Sequence, residues 1–401
     1  MKRREFLEMM AGAIALFLYP MSRSLGFHRV VDRAKPPDPG SDTDVFLAGV
    51  PRGASDGDLK RALRETAEAA DSFSWLSKGD TVFIKPALNS GNPYPATTSP
   101  VAVAAMIELL RERGAGRVLI GDMCGVQYVK LTPEKLTGSS RRLMEASGMA
   151  LAAEAAGAEL HFFEELGWNA FYEDHPTTGS KWKGPIMMPV ILKEVDHIVL
   201  MPRCARHILA GSTLGLKAAV GWWRYDTRLE YHHDAADFHE KTAEGNAVTT
   251  LLNKQRLVIS AADRILTTYG PDKGYVSQPE TGLIIASSSV VAHDMVSLAW
   301  LLDNYRTAPE SEKGMFSDPN TSQIAVAFAN HMVVRWLGGW RQAFSSQKLS
   351  RNDIGSILDD RTLNHAYRVF GGRPKVILNA ANKGISPEIR NRLNGMTNTS
   401  A

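Results

Sequence analysis

Four stretches of this 401-residue chain end an apolar run in side chains that can hold an anion or move a proton. They are Lys85-Pro86-Ala87-Leu88-Asn89, Gly121-Asp122, Arg203 with His207 close behind, and the turn Gly270-Pro271-Asp272-Lys273-Gly274. In an open parallel sheet, ligands bind beyond the carboxyl ends of the strands, beside helix starts with free N–H groups. One rim collecting all four stretches is therefore expected to form a pocket. Lys85 and Arg203 would hold negative charge, Asn89 would contact the ligand, His207 would move protons, and Asp122 would orient a base or a metal. Each residue also has a plainer reading: Lys85 as a snorkelling side chain, Asp122 as a turn cap, His207 as a satisfied loop histidine.

Two further segments add polar groups. The run Gly211-Ser212-Thr213-Leu214-Gly215-Leu216-Lys217 lacks the spacing of a phosphate loop, because Leu216 separates Gly215 from the lysine. A helix begun near Ser212 would still set Thr213 and Lys217 on one face, an arrangement suited to an anion. Thr97, Thr98 and Ser99 precede Pro100 at a helix start. Capping needs one hydroxyl, which leaves Thr97 and Thr98 as ligand contacts.

The densest cluster runs from Arg228 through Glu230, His232, His233, Asp234, Asp237 and His239 to Glu240. Arg228 joins the anion-holding candidates, and His232 or His233 could exchange a proton. On a helix His233 and Asp237 share a face, so His233, Asp237 and His239 are the candidates for a transition metal. A solvated, charge-paired helix reads the same way, and no His-x-x-x-His pair is present. No dinucleotide fingerprint, nucleophile elbow or Ser-x-x-Lys element stands in a supporting context.

Composition narrows the class. The net charge is only +3, partly from Lys2, Arg3 and Arg4, so nothing argues for nucleic acid or a polybasic membrane surface. Cys124 and Cys204 are the two cysteines. An iron–sulfur cluster ordinarily takes four thiolates, so none is expected, and small buried residues are the plain reading of both. No cofactor can be named. The start Arg3-Arg4-Glu5-Phe6-Leu7, followed by an apolar run from Met9 to Tyr19, has the grammar of a twin-arginine export signal. The run is short for a membrane span, and no clear Ala-x-Ala site follows before residue 30. The expectation is export by the twin-arginine machinery to the periplasm or the outer face of the inner membrane. Any membrane attachment would come only through an uncleaved signal.

The elements that must position these groups alternate. Residues 1–30 read as signal or anchor and 31–43 as a Pro/Gly-rich linker. An α/β core over 44–310 follows, and then a helical extension over 311–401 that ends with a strand. Strands are expected at 44–50, 81–88, 117–123, 159–164, 195–202, 264–269, 282–286 and 375–379. Helices are expected at 58–75, 100–113, 139–156, 245–255, 290–303 and 322–340. This alternation predicts an α/β fold, a mostly parallel sheet with helices on both faces. Residues 164–193, rich in aromatics, Pro and Gly, read as an irregular insertion or lid.

Lys85-Pro86-x-x-Asn89, Thr97-Thr98-Ser99-Pro100, Gly121-Asp122, and His207 with Thr213-Leu214-x-Leu216-Lys217-x-x-x-Gly221 occur in an order that resembles the domain-of-unknown-function family 362. Gly270-Pro271-x-x-Gly274 and His293-Asp294 continue the resemblance, which covers roughly residues 80–300. The resemblance implies an α/β protein of a bacterial and archaeal family in which many members carry ferredoxin-like cysteine modules and a subset carries twin-arginine signals. This chain lacks the cysteine motifs, so an iron–sulfur function is not carried over. The resemblance supports Lys85, Asp122, His207, Thr213 and Lys217 as site residues and assigns them no reaction. Two functions follow as expectations: an exported enzyme or enzyme-like domain binding a small anionic or cofactor-like ligand, or a non-catalytic periplasmic partner or maturation subunit of a redox complex.

Overall fold

A computed structural model describes residues 42–179 and 181–399. The twin-arginine segment lies outside the described residues, as does the linker except Asp42 and Thr43, which already belong to the first strand. Among the described residues, no helix is long and apolar enough to cross a membrane.

The central sheet takes eight strands: β1 (Asp42–Pro51), β2 (Thr81–Pro86), β3 (Arg117–Ile120), β4 (Glu159–Leu160), β5 (His197–Met201), β6 (Gln255–Ala262), β7 (Thr281–Ser287) and β8 (Lys375–Ala380). Their spatial order is β8-β1-β7-β6-β5-β2-β3-β4. Only β7 runs against the rest, pairing antiparallel with both β1 and β6. The chain is therefore an α/β protein with a mostly parallel sheet.

Side chains alternate between the faces of a strand, so a sheet covered on both sides needs apolar residues at odd and even positions alike. In β1, Val45 and Leu47 pack on one face while Ala48 and Val50 pack on the other; in β7, Leu283 and Ile285 oppose Ile284 and Ala286. One core takes Leu59 and Leu63 from helix α1 (Asp56–Ala70) and Val103, Ile107 and Leu110 from α2 (Pro100–Glu112). After α3 (Tyr225–His233), the opposite core takes Val296 and Leu301 from α4 (Val290–Thr307). Ser55 closes a capping box with Asp58 at the start of α1, and Ser99 caps α2 ahead of Pro100.

Several expected elements change: the strand expected at 159–164 keeps only Glu159–Leu160 before a 3-10 turn at Phe163–Leu166, and the C-terminal extension ends on a helix, Pro387–Asn398, rather than on a strand. The strand expected at 264–269 shrinks to Ile265–Leu266 in a small four-stranded sheet. The central strand is β6 instead, entered directly from a short helix (Thr249–Lys254). Alternation of Leu257, Ile259 and Ala261 against Val258 and Ala262 is what makes β6 a two-sided strand. The helix expected at 139–156 breaks into Ser140–Ala146 and Met149–Ala155, because Gly148 takes a left-handed conformation (φ 80) between them. Residues 164–193 contain the hairpin Phe171–Asp174 with Ile186–Pro189, and Trp182 packs edge-on against Trp223. Toward the C-terminus, α5 (Gln323–Ser345) packs on α3, and β8 closes the sheet edge along β1.

The carboxylate of Asp294 on α4 accepts from Gly215 N and Leu216 N at 2.7 Å each, and from the His293 ring at 2.9 Å. It occupies the free N–H groups of the short helix Gly215–Ala218, which carries Lys217. Truncation would leave these donors buried and unpaired, at about 1–3 kcal/mol for each. Asp294→Ala is therefore expected to lower unfolding free energy by several times the thermal energy. Denaturant titration followed by tryptophan fluorescence measures it, and an unchanged midpoint would contradict the role.

Candidate functional site

The strands β2, β3 and β5 end side by side, and their carboxyl-terminal loops form the floor of a cleft of about 740 Å³. At its base lies a fully buried ion pair: Lys85 Nζ stands 2.9 Å from Asp122 Oδ1. Lys85 also donates to the Pro86 and Ala218 carbonyls, and Asp122 Oδ2 accepts from Leu88 N at 2.8 Å. Burial outweighs the attraction of Asp122, so the Lys85 ammonium loses protons more readily than usual. The carboxylate thus ties the loop after β2 to the loop after β3. Asp122 is held as the counter-charge of Lys85.

Three more cations surround the pair. Arg228 of α3 is spent on carbonyls, donating to Trp223 at 3.0 Å and to Cys124 and Met123 at 2.6 Å each. Arg203 donates to the Pro271 carbonyl at 2.8 Å, while its buried Nε has no hydrogen-bond partner among the described residues. Burial lowers Arg203 to about 10, which leaves it charged at neutral pH. Lys217 retains some exposure to the cleft, and its ammonium lies 5.6 Å from the Tyr231 ring centroid. It makes no hydrogen bond or ion pair among the described residues. Burial of the ammonium, with Arg228 and Arg203 nearby, brings Lys217 down to about 7. The other carboxylate lining the cleft is Asp272, held at the rim by Asn89 at 2.7 Å, Gln127 at 3.2 Å and Tyr128 at 3.3 Å. Positive charge therefore exceeds negative charge on the floor.

Two histidines line the same cleft in complementary forms. His207 Nδ1 accepts from Leu209 N at 3.1 Å and Ala210 N at 3.4 Å, so the proton sits on Nε2, which is left as a donor. Burial and the nearby cations, Lys217 foremost, push His207 well below the usual histidine range. His232 Nδ1–H donates to Asn330 Oδ1 at 2.9 Å, while Asn330 Nδ2 returns a bond to the His232 carbonyl. Its Nε2 is thus left as an acceptor. Burial lowers His232 to about 3, partly offset by Asn330. The site presents one imidazole donor, one imidazole acceptor, and a Thr213 hydroxyl that is free among the described residues.

The structure gathers Asn89, Asp122, Arg203, His207, Thr213, Lys217, Arg228 and His232 around this cleft, with Lys85 behind Asp122. Other expected residues are engaged elsewhere. Thr98 Oγ1 donates to the Met201 carbonyl at 2.6 Å, and Thr97 Oγ1 to the Asn92 carbonyl at 3.0 Å, so both hydroxyls serve the fold. His233 bonds Asp234 and Ser345, Asp237 pairs with Lys181, and His239 bonds Thr362. The metal reading of His233, Asp237 and His239 is corrected accordingly, since none of the three shares a partner. Among the described residues no cluster of three or more His, Cys, Asp or Glu could hold a metal ion. Thr213 ends a strand rather than opening a helix, and Asp294 occupies the helix start beside it. Cys124 and Cys204 are buried free thiols, and burial raises the pKa of both.

The residues missed by sequence reasoning form the opposite wall. Phe328, Met332, Val333 and Trp336 on α5 face the floor, and Asn330 holds His232 in place. The expected insertion or lid at 164–193 contributes nothing to the lining. A usable signal was the surplus of apolar residues all around the 323–345 helix, more than one buried face needs.

Gly221 shows how tightly the base is packed, because a Cβ there would fall 1.9 Å from Asp122 Oδ1 and 2.5 Å from Lys85 Nζ. Gly221→Ala is expected to force the pair apart and destabilise the protein by about 1–3 kcal/mol. Thermal unfolding against wild type checks it, and an unaltered Tm would contradict the packing.

Among curated proteins none matches the chain. Among solved structures, a crystal structure of a protein from Thermotoga maritima is 13% identical, covers 53% of this chain and 52% of that one, and has a TM-score of 0.31. The chain thus spans about half the length of that relative. The lactate racemase apoprotein from Thermoanaerobacterium thermosaccharolyticum is 11% identical, with 90% and 88% coverage and a TM-score of 0.45. A family model matches residues 82–299, which hold the floor of the cleft from Lys85 to His232 and more than half of the chain. The chain belongs to the domain-of-unknown-function family DUF362.

Proposed function

We propose that the protein is an exported enzyme or enzyme-like domain that binds an anionic ligand on the floor of this cleft. The carrying observation is the uncompensated charge. Arg203, Arg228 and Lys217 converge where the carboxylate of Asp122 is already paired with Lys85. Buried cations in excess of their counter-charges are costly, and a ligand's negative charge relieves that cost. The Thr213 hydroxyl and His207 Nε2–H supply directional donors, and His232 Nε2 supplies an acceptor. Lys217, near neutrality between its two forms, is the group suited to exchange a proton with a carboxylate or phosphate compound. Export by the twin-arginine route rests on the residues at the chain's start and remains part of this reading.

The sign of the pH dependence follows from Lys217. Its ammonium attracts an anion and its amine does not, and the ammonium is present below about 7. Sulfate and acetate keep their charge between pH 6 and 9. Their affinity for the full-length protein, measured by titration calorimetry, is expected to be greatest near pH 6 and to fall as the pH rises past 7. Lys217→Met should flatten that profile, and Arg203→Gln should weaken both anions at least tenfold across it. Undetectable binding of both anions at pH 6 would sink the reading.

A second reading, a non-catalytic periplasmic partner in a redox complex, is favoured by Ile324 and Phe344 of α5, which are 82% and 77% exposed. Large apolar side chains standing in water often mark a protein contact. Metal analysis and an absorbance spectrum of the purified protein separate the two. Colourless, metal-free protein in a stable stoichiometric complex, with no affinity for anions, would favour the partner.

A further inference from the structure

We infer that the anion taken by this cleft is an amphiphile, with its charged head on the cationic floor and its apolar body along α5. The inference rests on the proposed anion site and adds the class of ligand. Two observations carry it. The first is size: about 740 Å³ suits a ligand of many heavy atoms, whereas an inorganic anion would leave most of it to water. The second is the separation of polar from apolar lining. Arg203, Lys217 and Arg228 come from the strand ends and α3, while the facing wall comes from a single helix. Phe328, Met332 and Trp336 recur on it every four residues, so they form one apolar stripe along α5.

That stripe has no cover among the described residues. Phe328 is 64% exposed and Trp336 is 41% exposed, although both border a cleft whose floor is buried. A polar ligand would leave these rings in water. A hydrocarbon chain or ring system attached to the anion would bury them while its head neutralised the floor. Ile208, Leu209 and Val220, on the floor side, extend the apolar track between head and stripe. Charge complementarity thus fixes the polarity of the ligand in the cleft, head toward Lys217 and body toward Trp336.

Straight-chain carboxylates test this on the full-length protein at pH 6.5, with acetate, hexanoate and decanoate titrated below their micellar concentrations. Each methylene buried against α5 is expected to tighten binding about threefold to fourfold, so decanoate, with eight more methylenes than acetate, should bind at least about a thousandfold more tightly even if only part of the chain is buried. The doubly substituted Phe328→Ser/Trp336→Ser protein changes two exposed positions. It is expected to keep acetate affinity and lose most of the gain with chain length. Decanol should bind far more weakly than decanoate. Equal affinity for acetate and decanoate would overturn the inference while leaving the anion site intact, and failure of all three carboxylates and of sulfate would remove the anion site itself. An unchanged gain in the double variant, or decanol binding as tightly as decanoate, would also overturn it. Flotation with phosphatidylglycerol vesicles, without binding of monomeric decanoate, would make the stripe a membrane contact and overturn it too.

Discussion

The ion pair between Lys85 and Asp122 is the constraint on which the cleft depends. It has no exposure to speak of, and its carboxylate also accepts from the backbone of Leu88. Removing either partner leaves the other charge buried, at about 3–5 kcal/mol, while the intact pair contributes far less to net stability. Its structural effect is positional. It joins the loops after β2 and β3, excludes any side chain at Gly221, and occupies one of the two carboxylates that line the cleft, the other being Asp272 at the rim. The excess charge on the floor follows from that occupation.

A second layer of fixed bonds decides what each floor residue offers. Backbone donors at Leu209 and Ala210 hold the His207 proton on Nε2, and Asn330 leaves the lone pair of His232 on Nε2. Arg228 is consumed by three carbonyls and serves as a strut with a charge. Lys217 stands apart because no hydrogen bond or ion pair holds its amine among the described residues, which leave it over the Tyr231 and Phe238 rings.

Much of this architecture was legible in the sequence, for a physical reason. Parallel strands deliver their polar residues at the carboxyl ends, so Lys85, Asp122, Arg203 and His207 could be placed on one rim from order alone. Hydroxyls and the metal candidates were less legible. Thr97 and Thr98 stand at a helix start, and only three-dimensional neighbours such as the Met201 carbonyl decide where a hydroxyl points. His233, Asp237 and His239 look clustered along the chain, but the helix ends at His233 and turns them toward different partners. The strand β6 was hidden because it begins where a helix stops, with no turn residue between Lys254 and Gln255. The apolar wall was least legible, since α5 follows the matched family region and meets the floor only through folding.

The pair of hydrogen bonds between Asn330 and His232 links these two halves of the cleft. One amide grips both the ring and the main chain of the histidine, and that amide rides on the helix that carries Phe328 and Trp336. Asn330→Ala would remove both bonds at once, leaving the imidazole without a partner for Nδ1–H among the described residues. The position of the apolar wall and the orientation of the imidazole are thus set by the same side chain.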